Sequence, residues 1–197
     1  MMTIRDSGLM HTCRMPLAAA YFSRYPTRTV RPDNIFLAKD ERLHGVLFLE
    51  KGIVALCCHW EEATKTLLYQ AEQSLIGDID FLTENTSAFL YGYTLTDVQL
   101  RIMPYENFIS LIEEDDDFFV EIALSIGAKS RALAFQIYNL RFSTAEERLS
   151  NFLAEFDIFC QKYSMPAPAL TQKRIAEALS LHRVTIAKTL RNVLRDS

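Results

Sequence analysis

The chain has 197 residues, of which 49% are hydrophobic and 23% charged, a composition typical of a globular protein with one or two domains. Six glycines and six prolines exclude a long disordered tract, and no apolar run reaches the roughly 18 residues of a membrane span. The cysteines form no CxxC pair, which predicts buried thiols in a reducing cytoplasm and no zinc or iron–sulfur site. They are Cys13, Cys57, Cys58 and Cys160.

Positive charge is concentrated at the C-terminal end. Residues 171–197 hold six Lys or Arg and two acidic residues, a net charge of +4, whereas the whole chain carries −4. The first 170 residues therefore carry −8. A basic segment on an acidic body is typical of a local nucleic-acid contact and argues against a generally polycationic protein.

The N-terminal half is predicted to be an arm followed by a β-roll. Residues 1–30 form the arm, with one short helix near Pro16–Ser23. Over residues 31–110, short apolar runs recur at about 8–12 residue spacing, which favours antiparallel strands. The runs are Ile35–Ala38, Val46–Leu49, Ile53–Cys58, Thr66–Tyr69, Ser74–Ile76, Phe89–Leu95 and Gln99–Met103. Lys51-Gly52, between two runs, predicts a hairpin turn with Gly52 at positive φ.

Helical periodicity begins after Pro104. A short helix is predicted over Pro104–Ile112 and a long one from about Asp117 to Leu140. Residues 111–142, which contain the end of the short helix and the whole long helix, are assigned to the dimerisation segment. Three successive aspartates (115–117) place negative charge at the start of the long helix, where the helix dipole favours it. Apolar residues recur at mostly three- and four-residue steps: Phe119, Ile122, Ile126, Leu133, Ile137 and Leu140. Such a stripe is either core or a seam with a second copy, and its length favours the seam.

Residues 143–197 are predicted to form a helical C-terminal domain. Thr144 and Glu147 have capping-box spacing, and an amphipathic helix follows over Arg148–Tyr163. Thr171 can cap a helix over Gln172–Ala178, and a turn at 180–182 leads to a second helix. This second helix, Arg183–Leu194, is predicted to bury Val184, Ile186 or Ala187, Leu190 and Val193.

The second helix of this pair carries groups suited to DNA. Arg183, Thr185 and Lys188 are predicted to point outward together, and His182 opens the helix. Arginine can pair with guanine or grip phosphate, and Lys and Thr do similar work less specifically. Gln172 lies at the N-terminus of the preceding helix, where a phosphate can pass. The alternative is an ordinary helical hairpin with a solvated basic face.

Four segments, in order, resemble the CRP/FNR family of bacterial transcription regulators: Phe48–Leu56, Ser74–Leu82, Ala145–Leu149 and the helix pair over 172–186. The resemblance implies an α+β fold with an N-terminal antiparallel β-roll, a long dimerisation helix and a C-terminal winged helix-turn-helix. It also implies a cytoplasmic, homodimeric regulator without enzymatic activity. Its partners would be a near-palindromic double-stranded DNA site and a small-molecule effector bound between roll and long helix.

The effector site departs from the cyclic-nucleotide binders of that family. Gly77 is followed by Asp78 rather than Glu, and residues 84–88 contain no Arg to grip a phosphate. Leu133 and Ala134 replace the hydroxyl residues expected on the long helix. The chain instead resembles the branch that binds small organic acids or aromatics, including the regulators of organohalide respiration. The predicted effector site comprises Gly77, Asp78, Arg131 and Tyr138, with Tyr69 and Tyr91 as further candidates, and no cofactor is expected.

Two features keep alternatives open. The sequence ends at Ser197, so the usual wing is not expected, and a sensor dimer with a weak or non-functional DNA-binding domain is the second hypothesis. Ser180 stands where the turn usually carries Gly, at a cost of roughly 1 kcal/mol if its backbone is left-handed.

A remote third hypothesis is a cupin-like metalloenzyme, but the roll offers only His44 and His59, not as an HxH pair, so no catalytic or metal-binding residues are predicted.

Overall fold

Two β-sheets and a set of helices make up this computed structural model, which describes residues 7–11, 13–60, 63–83, 88, 90–166, 168 and 170–193. The strands are β1 (Met10–His11), β2 (Thr27–Val30), β3 (Ile35–Leu37), β4 (Gly45–Lys51), β5 (Ile53–Trp60), β6 (Ala63–Ala71), β7 (Ser74–Ile76), β8 (Tyr91–Thr94) and β9 (Val98–Pro104). The helices are α1 (Pro16–Phe22), α2 (Asp78–Leu82), α3 (Tyr105–Glu114), α4 (Asp116–Phe142), α5 (Ala145–Lys162), α6 (Gln172–Leu179) and α7 (Arg183–Val193). None of the described helices is long and apolar enough to cross a membrane.

The strands form a roll of two sheets. One sheet has the order β1-β6-β5-β8-β3 and the other β2-β9-β4-β7. Every described strand pair is antiparallel except β1 with β6, which is parallel. Side chains from both sheets meet in one apolar core that includes Leu49, Val54 and Leu100, none of them more than 1% exposed. The predicted α+β fold with an antiparallel roll is therefore confirmed.

The predicted hairpin at Lys51-Gly52 was wrong. β4 pairs with β7 and β9, whereas β5 pairs with β6 and β8, so the chain crosses from one sheet to the other at this point. The backbone of Gly52 does have the positive φ that was expected, at 103°. A Cβ atom there would lie 2.5 Å from the Asp97 carbonyl oxygen, so the close approach also requires glycine.

Three short elements, β1, β2 and α2, were not anticipated. β1 belongs to the N-terminal arm, which passes between the roll and α4. A Cβ atom on Gly8 would lie 2.2 Å from the Ala132 carbonyl oxygen, which explains the glycine. The Gly8 carbonyl accepts a hydrogen bond from Gln136 Nε2 at 2.8 Å. The arm is therefore a fixed part of the roll rather than a separate segment.

Two opposite faces of α4 have different surroundings. The roll-facing face is formed by residues at alternating four- and three-residue steps: Phe118, Ile122, Ser125, Lys129, Ala132, Gln136 and Asn139, all buried or half-buried. The outward face has the same alternating spacing as far as Tyr138 and then one further four-residue step, and its members are exposed: Val120, Leu124, Gly127, Arg131, Ala134, Tyr138 and Phe142. The predicted apolar stripe does not coincide with either face, because Ile122 is buried in the chain's own core while Ile137 and Leu140 are exposed.

The C-terminal helices pack against the roll. The predicted capping box at the start of α5 is confirmed, since Thr144 Oγ1 accepts from the Glu147 amide at 3.2 Å and Glu147 Oε2 accepts from the Thr144 amide at 2.8 Å. Phe152 and Phe156 of α5 share one core with Tyr69 of β6 and with α6 and α7. The rings of Tyr69 and Phe156 are 5.3 Å apart. A continuous apolar core therefore joins the roll to the helix pair.

The cysteines are free thiols. Cys57 and Cys160 are buried, as predicted, while Cys13 and Cys58 are half-buried. Burial raises the pKa of the Cys57 and Cys160 thiols to about 11, which keeps them protonated at neutral pH. These two residues therefore act as small apolar groups in the core.

Candidate DNA-binding and effector sites

The α6–α7 pair has helix-turn-helix geometry. Thr171 caps α6 as predicted, its Oγ1 accepting from the Arg174 amide at 3.3 Å. Ser180 ends α6 in the left-handed region (φ 52°), so the expected strain at this non-glycine turn residue is present. The Leu181 amide then donates to the Ala176 carbonyl, and α7 begins at Arg183. Local hydrogen bonds thus shape the turn between the two helices.

The packing of α7 differs in part from prediction. Ile186 is fully buried in the core that α7 shares with α5 and α6, and Thr189 is 8% exposed. Val184 was predicted to be buried but is 81% exposed. Because α7 is held through Ile186 and Thr189, its first turn is turned toward solvent. The prediction for Val184 was therefore wrong.

The predicted DNA-contacting residues lie along this exposed end. Side chains of His182, Arg183 and Lys188 are exposed, as is that of Gln172 at the start of α6, whereas Thr185 is half-buried. Val184 is a candidate that the sequence reasoning missed, since an exposed apolar side chain among cations can contact a thymine methyl group. The sequence had predicted that Val184 is buried because its side chain is apolar. The exposed end of α7 therefore combines two cations with one apolar group.

Charged contacts also hold the helix pair against the roll. Arg174 of α6 donates through Nη2 to Asp33 Oδ1 at 2.6 Å, and its guanidinium lies 4.8 Å from the centre of the Tyr93 ring. Arg148 of α5 donates through Nη1 to the Leu179 carbonyl at 3.0 Å. A cavity of about 210 Å³ lies at this junction, bordered by Lys65 of β6 and by Ser180 at the turn. The position of the helix pair is thus tied to the roll.

A buried ion pair links the predicted effector turn to the long helix. Gly77 has φ 85° and leads into α2, whose first residue, Asp78, is 1% exposed. Lys129 of α4 is 2% exposed, and its ammonium lies 2.6 Å and 2.7 Å from the two Asp78 carboxylate oxygens. It also donates to the Leu75 carbonyl at 2.9 Å. The three donors of this ammonium are therefore all engaged within the chain.

A cavity of about 190 Å³ lies beside this ion pair, between the roll and α4. Its walls are mainly apolar and include Leu37, Leu56, Leu68, Ile76, Leu90 and Leu133. Gln70 of β6 also lines the cavity. This side chain is fully buried, and neither its Nε2 nor its Oε1 has a hydrogen-bond partner among the described residues. A buried amide without partners is costly, so this side chain has hydrogen-bonding capacity that a bound group could use.

Only part of the predicted effector set comes together in the chain. Gly77 and Asp78 line the 190 Å³ cavity. Arg131 and Tyr138 lie on the outward face of α4 and line a separate depression with Ala134 and Phe135. The sequence reasoning missed Lys129 and Gln70, because polar residues inside a helix or strand are usually solvent-facing. The segment 84–87, part of the argument against a phosphate site, lies outside the described residues.

The remaining candidates are two tyrosines considered for the effector site and two histidines considered for a metal site. Tyr69 is buried in the core beneath α5, and Tyr91 stacks on the His59 ring with centroids 4.4 Å apart. His59 also shares a 3.0 Å hydrogen bond with Thr64, and His44 is exposed on a loop. Within the described part of the chain, His, Cys, Asp and Glu form no group suited to a metal ion.

Solved structures of bacterial regulators have the same fold. CLP, a c-di-GMP responsive global regulator of Xanthomonas campestris, has a TM-score of 0.75 with 12% identity over 89% of each chain. CprK complexed with OCPA has a TM-score of 0.70 with 18% identity, covering 98% of this chain and 91% of CprK. A CRP/FNR-family transcriptional regulator from Thermus thermophilus has a TM-score of 0.72 with 16% identity over 87% of each chain. No protein-family model and no curated protein matches the sequence. The likeness confirms that the chain has the predicted CRP/FNR-type fold.

Proposed function

We propose that this chain is a DNA-binding transcription regulator, controlled by a small molecule and acting as a homodimer in the cytoplasm. The observation that carries the proposal is the exposed first turn of α7 in a helix-turn-helix on a CRP/FNR-type fold. Arg183 and Val184 are exposed in that turn, and Lys188 is exposed in the next one. A helix end with this chemistry suits the major groove, where cations meet guanine or phosphate and an apolar side chain meets thymine.

The outward face of α4 supports the homodimer. Leu124 and Phe142 are 65% and 71% exposed on this face, and Val120 is 52% exposed. Gly127 and Ala134, between them, are small enough for a second helix to approach closely. Alternating four- and three-residue spacing is the pattern by which two helices pack along their length. A two-fold dimer would present two copies of α7 to a near-palindromic DNA site.

The cavity between the roll and α4 supports control by an effector. It is concave, mainly apolar and contains one polar side chain with free hydrogen-bonding capacity, which is the usual character of a small-molecule site. CLP is described as c-di-GMP responsive, and CprK as complexed with OCPA. Proteins of this fold therefore take chemically different ligands, so the ligand here has to be inferred from the cavity itself.

A route from the cavity to the DNA-binding helices follows from the packing. α4 borders the cavity through Lys129 and Leu133, and the α6–α7 pair is tied to the roll by Arg174. A ligand that moves α4 relative to the roll will change the relative position of the two α7 helices in a dimer. Such a ligand shifts the DNA-binding equilibrium only to the extent that it binds the two arrangements differently.

The direct test is selection of duplexes from a random pool, followed by fluorescence anisotropy across a salt series. We expect a selected near-palindromic duplex to bind at least about a thousandfold more tightly than random duplex. Substitution of Arg183→Ala should weaken that binding by about 5- to 150-fold and relax the sequence preference. The matched control is Arg42→Ala, which removes one exposed arginine from the roll and should change binding less than about twofold.

Absence of binding to any duplex at low ionic strength would contradict the proposal, because non-specific electrostatic binding is strongest there. Equal losses in the Arg183→Ala and Arg42→Ala variants would also contradict it, since that result assigns the affinity to overall charge rather than to α7. In either case, a sensor with a non-functional DNA-binding domain becomes the better description.

A further inference from the structure

We infer that the ligand of the cavity between the roll and α4 is a small uncharged molecule, about the size of one substituted ring, held by the side-chain amide of Gln70. The inference rests on the proposed function in one respect, namely that this cavity takes an effector. It adds the chemical class of that effector, which the fold does not specify, and it replaces the organic acid that the sequence resemblance allowed with an uncharged ligand.

The charges at the cavity argue against an anion. Lys129 is the cation in the cavity wall, and its three ammonium hydrogens are directed to the two Asp78 oxygens and the Leu75 carbonyl. An incoming carboxylate or phosphate would have to displace Asp78 from Lys129, or else be buried beside a carboxylate without a cation. Asp80 also lines the cavity. Burial of an unpaired charge next to like charges is strongly unfavourable.

The polar capacity that remains is neutral. Gln70 offers one acceptor and two amide hydrogens, none of which has a partner among the described residues. His11 of β1 is the register partner of Gln70 in a parallel pair, so its side chain leaves the sheet on the same face. His11 is 2% exposed, and its Nε2 has no partner among the described residues, but its side chain lies beside Gln70 rather than in the cavity wall. A ligand with an adjacent donor and acceptor, such as a carboxamide or lactam, satisfies the Gln70 amide.

The size of the cavity limits the ligand further. An apolar protein cavity of about 150 Å³ accommodates benzene. The present cavity is about 190 Å³ and is lined largely by leucine side chains, so it has room for one ring and one small polar substituent. A cyclic mononucleotide or dinucleotide carries the wrong charge for this cavity.

The test uses three probes of nearly equal shape: benzamide, benzoate and toluene. Calorimetric titration of the 197-residue chain should show benzamide binding at least about tenfold more tightly than benzoate, since benzoate would bury a second carboxylate beside Asp78 without a free cation. Gln70→Leu keeps the side-chain volume but removes both polar atoms. It should lower the affinity for benzamide about tenfold, and leave toluene binding unchanged or tighter. Gln161→Leu, on the exposed surface of α5, is the matched control and should bind like the unmodified protein.

Three results would overturn the inference: no detectable benzamide binding, benzoate binding as tightly as benzamide, or an unchanged benzamide affinity in Gln70→Leu. The thermal unfolding midpoint of each variant without probe shows that it is folded. DNA binding is scored separately by the anisotropy assay above. Specific DNA binding together with failure of benzamide would refute this inference alone, whereas Gln70-dependent benzamide binding without DNA binding would refute the regulator proposal alone.

Discussion

The two faces of α4 differ in what they bury. The roll-facing face places Lys129, Ser125 and Asn139 out of solvent, whereas the outward face leaves Leu124 and Phe142 exposed. Ordinary hydropathy would assign these faces the other way round. The first face is completed inside the chain, where Asp78 pairs with Lys129. The second is exposed in a single chain, and it is the face to which the proposed function assigns a second copy.

The largest expected effect is on the roll-facing face. Lys129→Met removes the ammonium and leaves the Asp78 carboxylate buried without a cation. We expect the free energy of unfolding to fall by about 3–5 kcal/mol, measured by urea denaturation. Replacement of both residues, Asp78→Leu with Lys129→Met, removes the stranded charge and should restore most of the stability.

The matched control is Lys173→Met, which breaks the exposed pair with Glu177 in α6, where the N–O distance is 3.8 Å and the lysine side chain is 75% exposed. Its cost should stay below about 0.5 kcal/mol. A loss of under about 1 kcal/mol in Lys129→Met, similar to this control, would show that the roll-facing face does not depend on the buried pair.

The outward face should respond through association rather than folding. Leu124→Glu places a charge in the proposed helix–helix interface, and we expect the dimer dissociation constant to rise at least about a hundredfold in sedimentation equilibrium. Ile158→Glu is the control, because Ile158 on α5 is equally exposed at 65% but lies outside this face. A monomeric unmodified protein at high micromolar concentration would refute the dimer, and equal effects of the two variants would refute its location on α4.

A smaller expected effect is a pH dependence of the unfolding free energy, which comes from His11 near Lys129 of the roll-facing face. Burial, and then the nearby Lys129 ammonium, lower the pKa of His11 to about 3. The folded protein therefore keeps His11 neutral, whereas the unfolded chain takes up a proton below about pH 6.5. Stability is consequently lost as the pH falls, by about 2 kcal/mol between pH 7 and pH 5. The difference in unfolding free energy between the unmodified protein and His11→Gln should follow this curve, and a difference independent of pH would contradict it.

Local interactions explain what the sequence could predict. The caps at Thr144 and Thr171 each involve a partner three residues away, so spacing alone indicates them. The short apolar runs that indicate strands, and the three- and four-residue spacing of apolar residues that indicates helices, likewise depend on residues close in the sequence. These features were sufficient for the roll, the long helix and the helix pair, and therefore for the fold.

Long-range interactions explain what it could not. Asp78 and Lys129 are 51 positions apart, and either residue alone reads as solvent-exposed. Gln70 is polar within a strand, and its burial follows from its place between β1 and β5 in the sheet and beside a cavity that α4 borders. Val184 is the reverse case, since the contacts of Ile186 with other helices turn it toward solvent. Each of these depends on the packing of distant elements, which the local pattern does not contain.

Hydroxyl-radical footprinting of a selected duplex tests the central claim most directly. A homodimer with two α7 helices should protect two patches centred about 34 Å, or one helical turn, apart on the DNA. Leu124→Glu should lose both patches at concentrations where the unmodified protein is saturated. A single protected patch, or two patches that persist in Leu124→Glu, would contradict a regulator that reads DNA as a dimer built on the outward face of α4.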